Sequence, residues 1–505
     1  MLTQLVRTKS LDAILADSEA PHRQLKRALG AFDVVMLGIG AIVGAGIFAT
    51  IGTAAAGDAA RPGAGPALIV SFVVTAAACG FAALCYAEFA AMVPISGSAY
   101  TYAYATLGEL VAWIIGWDLI IEYAVGNVAV AISWGNYFKT LLGGFGIVIP
   151  DWLSTDYRTA ARISGLFDTA PHVFGIPIVF NILAVGIVAL ITLVLVVGIR
   201  ESATMNTMMV LLKLAVLGFF VVVGVGYTNA ANFRPFAPNG WAGIQAGAAI
   251  VFFAYIGFDA VSTVAEETRD PKRDLPIGII GSLVICTFIY VVVAAVFSGI
   301  IPYDVLKQKL ATEQAEPLTM ALQYANIERW GNLFVGIVAF GSVVAHTAVL
   351  LVFQLGQPRI FFSMARDGLL PPSFAKVHPT FRTPHVTTIL TGVVVGVFAM
   401  FTSIDEMVDL TNIGTLFAFM LVCTGILVLR RRDPDRPRAF KTPWVPLVPI
   451  LGIMSCAYLM LGLPRITWIR FALWLIVGLA VYYSYGFRKS ALHGKSYSDV
   501  GRETF

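Results

Sequence analysis

Charge is what this sequence is short of. Only 13% of its 505 residues are Asp, Glu, Lys or Arg, against 58% hydrophobic, and the mean hydropathy is +0.81. Soluble domains carry about a quarter charged residues, and a soluble fold of this length would need far more polar surface to cover itself. The shortage excludes a soluble enzyme, a nucleic-acid binder and a secreted scaffold. Cysteine is scarce too. Cys79, Cys85, Cys286, Cys423 and Cys456 show no metal-ligand spacing, and Cys79 and Cys85 share one apolar stretch. Structural disulfides are therefore not expected. There is no Gly-x-x-x-x-Gly-Lys-Ser/Thr loop, so nothing points to ATP as the energy source. No His, Cys and carboxylate cluster has metal spacing. No catalytic residue, metal or cofactor is assigned, and the chain does not read as an enzyme. Residues 1–30 lack the uninterrupted apolar run of a signal peptide and read as a polar tail, with room for a short surface helix.

What is present is a recurring apolar run long enough to cross a hydrocarbon core of about 30 Å. Twelve such segments are expected, at 33–57, 66–92, 108–138, 177–198, 204–227, 241–265, 276–300, 330–362, 385–402, 407–429, 444–463 and 467–487. The chain is thus expected to be an all-α integral membrane protein, with the lipid bilayer as its partner and no nucleic acid. With the N-terminus placed inside, the inner segments hold 23 Lys and Arg, the outer loops hold 10, and Lys213 lies within a span. That bias orients both termini to the cytoplasm of a cell (inner) membrane. The densest run, Arg430-Arg431-Arg432 through Arg438 and Lys441, is a topology anchor, with anionic-lipid binding as the alternative. The expected divisions are a tail over 1–32, five helices over 33–227, five more within 228–429, a basic loop over 430–443, two added helices over 444–487 and a second tail over 488–505.

Two spans look broken. The first contains Gly38, Gly40, Gly44 and Gly46 within nine residues. An interruption in lipid is tolerated only beside protein or a cavity. Close packing of small residues is the other account, since Gly40 and Gly44 keep the Gly-x-x-x-Gly spacing. The sixth span carries Gly257 in its middle and Asp259 two residues later, and an intramembrane carboxylate is a functional candidate by default. The two interrupted spans stand in matching places of two five-helix halves. An odd number of spans per half turns the second upside down relative to the first, an arrangement that puts a substrate site near the midplane. Breaking the first span near Gly44 frees backbone N–H groups suited to a carboxylate. The carbonyls that end the first halves of both spans suit an ammonium. A ligand carrying both charges a bond or two apart is an α-amino acid.

Several strings resemble one known family. Gly40-Ala41-Ile42-Val43-Gly44-Ala45-Gly46-Ile47-Phe48 is similar to the signature of the amino acid–polyamine–organocation transporters. So are Phe253-Ala254-Tyr255-Ile256-Gly257-Phe258-Asp259 and the loop Glu266-Glu267-Thr268-Arg269-Asp270-Pro271-Lys272-Arg273-Asp274-Leu275-Pro276. Tyr86-Ala87-Glu88-Phe89, Pro94-Ile95-Ser96-Gly97-Ser98-Ala99-Tyr100 and Met364-Ala365-Arg366-Asp367-Gly368-Leu369-Leu370-Pro371 add to the match. Thr411-Asn412-Ile413-Gly414-Thr415-Leu416 looks most like the cationic amino acid transporter branch and its bacterial proton-coupled relatives. The resemblance covers about residues 31–432. It implies a LeuT-like 5+5 inverted repeat and alternating access.

It also implies contacts. The substrate carboxylate would meet the N–H groups of Gly44, Ala45 and Gly46. The amino group would meet the carbonyls of Ile42, Phe253, Ala254 and Ile256, beside Gly257, with the Phe253 ring as a gate. Relatives often carry Ser or Thr where this chain has Ala45, so carboxylate capture rests on backbone alone. Phe353 falls at the side-chain end of the pocket. A bulky ring there favours a small neutral L-amino acid such as alanine. A cationic substrate would instead need Asp259, Glu122 or Asp118 nearby. An exchanger, a sensor and a channel are the other functional classes; the tails hold no long signalling domain, and no polar pore-lining stripe is visible.

For coupling, Lys213 stands out. It lies nine residues into its span, about 14 Å deep at 1.5 Å per residue, too far for its stem to reach the interface. An unpaired ammonium there is costly, so its amine can lose and regain a proton as the cavity opens and closes. The family places a helix 5 lysine where sodium-coupled relatives bind their cation. The expected coupling ion is the proton, with no sodium, and Glu122 and Asp259 are its candidate companions. A fixed salt bridge from Lys213 to Asp259, Asp118 or Glu122 is the structural alternative. Asp118 and Glu122 share a helix face and could equally pair with protein donors. Glu109 reads as a first-turn acid, Glu88 as a structural hinge, His346 as a packed, hydrogen-bonded residue, and Glu266 and Glu267 as an inner salt-bridge network with Arg269, Lys272 and Arg273.

Overall fold

The computed structural model describes residues 7–9, 27–94, 98–198, 203–312, 316–327 and 330–491. The proposed surface helix of the first tail, most of the second tail and residues 95–97 of the Pro94–Tyr100 string lie outside the described residues. Among those described, nine helices are long and apolar enough to cross a membrane. They are α1 (Ala31–Ala56), α2 (Gly65–Met92), α3 (Glu109–Gly144), α5 (Thr204–Val225), α6 (Gly240–Glu267), α7 (Pro271–Ile300), α8 (Gly331–Arg366), α10 (Ile404–Arg432) and α12 (Arg465–Lys489). Shorter apolar helices stand between them: α4 (Ile182–Val197), α9 (His385–Phe401) and α11 (Leu447–Leu461).

Most bounds fall within a few residues of those expected from the apolar runs, with instructive exceptions. The fourth run was placed from 177, but its first residues are extended. Ile176–Pro177 pairs with His172–Val173 in a two-residue hairpin, and proline fixes the backbone outside a helix interior. The helix starts only where the Asn181 side chain accepts the Ala184 N–H at 3.0 Å. In the same way α11 begins after Pro446 rather than at 444. Further short helices join the spans: Ser98–Thr106 between α2 and α3, and Tyr303–Thr312 with Pro317–Tyr324 between α7 and α8.

Helices α1, α2, α6, α7, α8 and α10 interlock around one apolar core, with α3 against α8 and α10. Within it α1 is interrupted at Val43 and Gly44 and resumes as a π turn over Gly46–Thr50. The interruption of α6 follows a 3-10 turn over Phe252–Tyr255, and a second 3-10 stretch begins at Asp259.

Buried ions lock the ends. Glu88, fully buried at the end of α2, accepts two bonds from Arg430 at 2.8 Å each and one from the Thr442 N–H at 2.8 Å, with Arg438 Nε at 3.1 Å. The basic segment after α10 is therefore pinned to α2. On the same face Lys9 pairs with Asp367 at 2.7 Å, and Glu109 accepts from Tyr104, Tyr482 and Ser490. Glu109 does sit in the first turn of α3, yet it ties three segments together rather than capping its helix. At the opposite end, Arg61 bridges Asp58 and Asp409, at 2.6 and 2.7 Å, joining the exit of α1 to the start of α10. All five cysteines are free and buried.

Candidate substrate and coupling site

The two interruptions face each other. A Cβ on Gly46 would overlap the Ala254 backbone, and one on Gly257 would stand 2.8 Å from the Ala41 carbonyl. Gly257 has φ +119, a conformation open to glycine and closed to side chains. Sequence patterning therefore puts glycine where two unwound backbones meet, not merely where helices pack. Gly44 faces the Val349 side chain, at 2.6 Å from a built Cβ. Ala45 and Ile256 are buried, as are Ala254 and the Phe253 ring.

The second half of α1 starts at the residues expected to hold a carboxylate, whose N–H groups have no carbonyl one turn earlier in a continuous helix. The freed carbonyls are partly occupied already. Ile42 accepts the Tyr290 hydroxyl at 3.0 Å and Val43 accepts from Lys213 at 3.1 Å, while in the resumed turn Phe48 accepts the Tyr137 hydroxyl at 2.6 Å. A carbonyl oxygen has two lone pairs, so Ile42 keeps one for an ammonium. At the end of the first half of α6, the Asn412 amide donates to Ala249 and Ile250 at 2.8 and 3.3 Å. Tyr290, Tyr137 and Asn412 were missed from sequence. The signal was there in part, since each is a lone polar group in an apolar run that must find a partner.

Lys213 is fully buried. Its Nζ donates to the Gly40 carbonyl at 2.7 Å and the Val43 carbonyl at 3.1 Å, so α5 is tied to the broken part of α1. Among the described residues no salt bridge joins it to Asp259, Asp118 or Glu122. The acids gather elsewhere. Glu122, in a π turn of α3 over Ile121–Val125, faces the Asp259 carboxyl and Thr415. Asp259 uses one oxygen to accept the Gly257 N–H at 3.2 Å, and its other oxygen has no hydrogen-bond partner among the described residues. Both Asp118 oxygens are buried and without a hydrogen-bond partner among the described residues, so no protein donor there pairs with Asp118. His346 is hydrogen-bonded to Ser133 at 2.8 Å and to the Ser342 carbonyl at 2.6 Å, as a packed histidine.

Phe353 is buried on α8. Its ring meets Tyr123 edge-on at 5.7 Å and would lie 3.2 Å from a Cβ on Gly126. The helix breaks thus meet each other and Val349 of α8, Phe353 packs on Tyr123 next to Glu122, and Lys213 reaches the broken end of α1 from α5.

Residues 29–484 match the model of a family described as amino acid permease. The chain belongs to that family. It is 45% identical over 493 residues to the branched-chain amino acid permease BcaP of Bacillus subtilis (strain 168), covering 98% of this chain and 100% of that one. It is 42% identical to the methylthioribose transporter of the same organism, over 97% of this chain and 100% of the other. The vacuolar cationic amino acid transporter 4 of Arabidopsis thaliana is 36% identical, over 86% of this chain and 68% of the transporter. As an amino acid permease the chain is a membrane transporter for amino acids and not an enzyme.

Proposed function

We propose that this permease imports a small neutral L-amino acid such as alanine together with protons, by alternating access through the paired helix breaks. The observation that carries the coupling is the Lys213 amine bonded to the Gly40 and Val43 carbonyls. Protonated, it holds α5 on the broken end of α1. Neutral, it offers fewer donors and the two helices part more readily. A cation fixed by lysine leaves no need for sodium at that position. Glu122 and Asp259, carboxyl against carboxyl, form a second place able to hold a proton, because two like charges in contact disfavour each other.

In this reading α4, α9 and α11 also cross, giving twelve spans. Helices α1–α5 and α6–α10 are inverted repeats, with α11 and α12 outside them. The face bearing residues 7–9 and 487–491 is cytoplasmic. What supports it is the placement of the two breaks in corresponding members of the two sets of five. The neutral preference rests on the Phe353–Tyr123 pair and on the branched-chain amino acids for which one relative is named. A cationic substrate is the second reading, favoured by the Glu122–Asp259 pair and the cationic transporters among the relatives. Uptake into proteoliposomes tests the proposal, with a panel of alanine, valine, arginine and methylthioribose, with and without a pH gradient and with and without sodium. Alanine uptake driven by the pH gradient is expected; arginine taken up as well as alanine would refute the size argument. Counterflow that persists without any gradient, with no net uptake, would assign exchange instead.

A further inference from the structure

Helix α10 ends on Arg430-Arg431-Arg432, and the chain returns as α11 at Leu447. The stretch between them is a fixed turn. Arg438 folds back on it, donating to the carbonyls of Asp433, Pro434 and Arg436 at 2.6, 2.9 and 2.8 Å. Glu88 of α2 holds it through Arg430, Arg438 and the Thr442 N–H. The Thr442 hydroxyl adds a bond to the Leu84 carbonyl at 3.0 Å. Arg430 also reaches the Thr442 carbonyl at 3.5 Å, so the end of α10 and residues 441–444 lie side by side.

Glu88 takes up Arg430 and Arg438, while Arg431, Arg432 and Lys441 are exposed. Over residues 430–441, six cations stand against Asp433, Asp435 and Glu88, a net charge of +3. Arg436 lies 3.6 Å from Asp433, so part of the acidic charge is answered within the turn. Charge alone would do no more than orient the chain. A second observation is apolar. The Trp444 carbonyl accepts the Leu447 and Val448 N–H groups at 2.6 and 3.3 Å, which seats this residue at the start of α11. Its side chain is outside the core, with Trp444 79% exposed. Leu447, Ile450, Met454 and Leu461 follow along one face of α11, all exposed, at the spacing of a helical stripe. From Leu447 to Leu461 the stripe runs about 21 Å, longer than one leaflet of a ~30 Å core. Trp444 thus stands where an apolar stripe meets a basic cluster, and its ring suits that junction, apolar in body with one N–H to donate.

We propose that this corner binds an anionic phospholipid, its phosphate at Arg431, Arg432 and Lys441, its glycerol beside Trp444 and an acyl chain along Leu447, Ile450 and Met454. The two halves of the surface call for one amphiphile. A free phosphate leaves the stripe uncovered, and a hydrocarbon chain leaves the cations unanswered. A zwitterionic head group brings its own ammonium towards the same cations, so a head group of net negative charge is favoured. Because the turn is bonded to α2 and continues α10, a lipid bound there bears on both helices. The inference rests on the transporter reading, in which α11 crosses and this face is cytoplasmic; the lipid then belongs to the inner leaflet.

The test is native mass spectrometry of the purified permease, titrated in detergent with phosphatidylglycerol or with phosphatidylcholine of the same chains. Wild type should hold phosphatidylglycerol at least about tenfold more tightly, since each surface cation contributes roughly fivefold. Arg431→Gln, Arg432→Gln and Lys441→Gln combined should remove that preference and leave Tm unchanged. Arg269→Gln, Lys272→Gln and Arg273→Gln, three exposed cations after α6, should leave the preference intact. Trp444→Ala with Met454→Gln should weaken both lipids several-fold without changing their ratio. Equal affinity of wild type for the two lipids overturns the proposal. So does a preference that survives in the first triple variant or is lost equally in the second. Displacement of the lipid by millimolar inorganic phosphate would reduce the site to one for free anions. A co-purifying membrane protein that covers Trp444 and excludes phosphatidylglycerol would assign the face to a protein instead. Orientation is read separately from Lys441→Cys with a membrane-impermeant maleimide, because all five native cysteines are buried. Protection in intact cells and labelling in inverted vesicles are expected. Labelling in intact cells would refute the inner leaflet even if the lipid preference held.

Discussion

Gly46 of α1 lies so close to Ala254 of α6 that a single added Cβ would meet the Ala254 backbone. The contact joins the two broken helices at the proposed zwitterion site. It makes Gly46 a sensitive probe of the site.

Gly46→Ala should push the breaks apart at a cost of roughly 1–3 kcal/mol, the usual range for overpacking. Alanine affinity should fall at least about tenfold, the equivalent of about 1.4 kcal/mol. Gly143→Ala is the control, since its Cβ would meet nothing within 4 Å. Isothermal titration with both variants checks it, and equal affinities would separate the site from this contact.

Phe353→Ser should open the side-chain end beside Tyr123 and Gly126. Larger or cationic amino acids should then compete. Alanine binding should weaken by about 1–3 kcal/mol through lost apolar burial. A competition assay over an amino-acid panel reads both effects. An unchanged ranking would mean that Phe353 does not border the substrate.

Glu88→Ala should destabilise the fold rather than the transport chemistry. It leaves Arg438, 2% exposed at its side chain, beside no carboxylate, together with a free Thr442 N–H. Removing one partner of a buried ion pair costs about 3–5 kcal/mol. A lowered Tm with substrate affinity retained in the surviving protein is expected. An unchanged Tm would show that the basic segment is not held by this acid.

Much of this was legible in the sequence because it is written locally. Apolar runs set the spans, and the glycines at 44, 46 and 257 marked the interruptions. Ile42, Ala254, Gly257 and Phe353 were assigned to the site through motifs; in the structure Gly257 meets Ala41 next to Ile42, Ala254 meets Gly46, and Phe353 packs on Tyr123. What stayed hidden depends on long-range pairing. Glu88 and Arg430 are 342 positions apart, and Tyr290 meets Ile42 across 248. A lone residue shows that a partner is needed and not which one. The fourth apolar run was misplaced at its start because hydropathy does not distinguish an extended apolar stretch before Asn181 from a helix. Spacing put Asp118 and Glu122 on one face of α3, yet Glu122 faces Asp259 while neither Asp118 oxygen has a hydrogen-bond partner among the described residues; that difference comes from neighbouring helices.

The central claim is that Lys213 couples uptake to protons. The most direct measurement is concentrative alanine uptake into proteoliposomes under an inward pH gradient, for wild type, Lys213→Met and Lys213→Ala, with binding measured separately on the same preparations. The account predicts gradient-driven, sodium-independent uptake in wild type. It predicts folded variants that have lost that uptake or its response to pH. Sodium-stimulated wild-type uptake, or a Lys213→Ala protein that still concentrates alanine with the pH gradient, would contradict it.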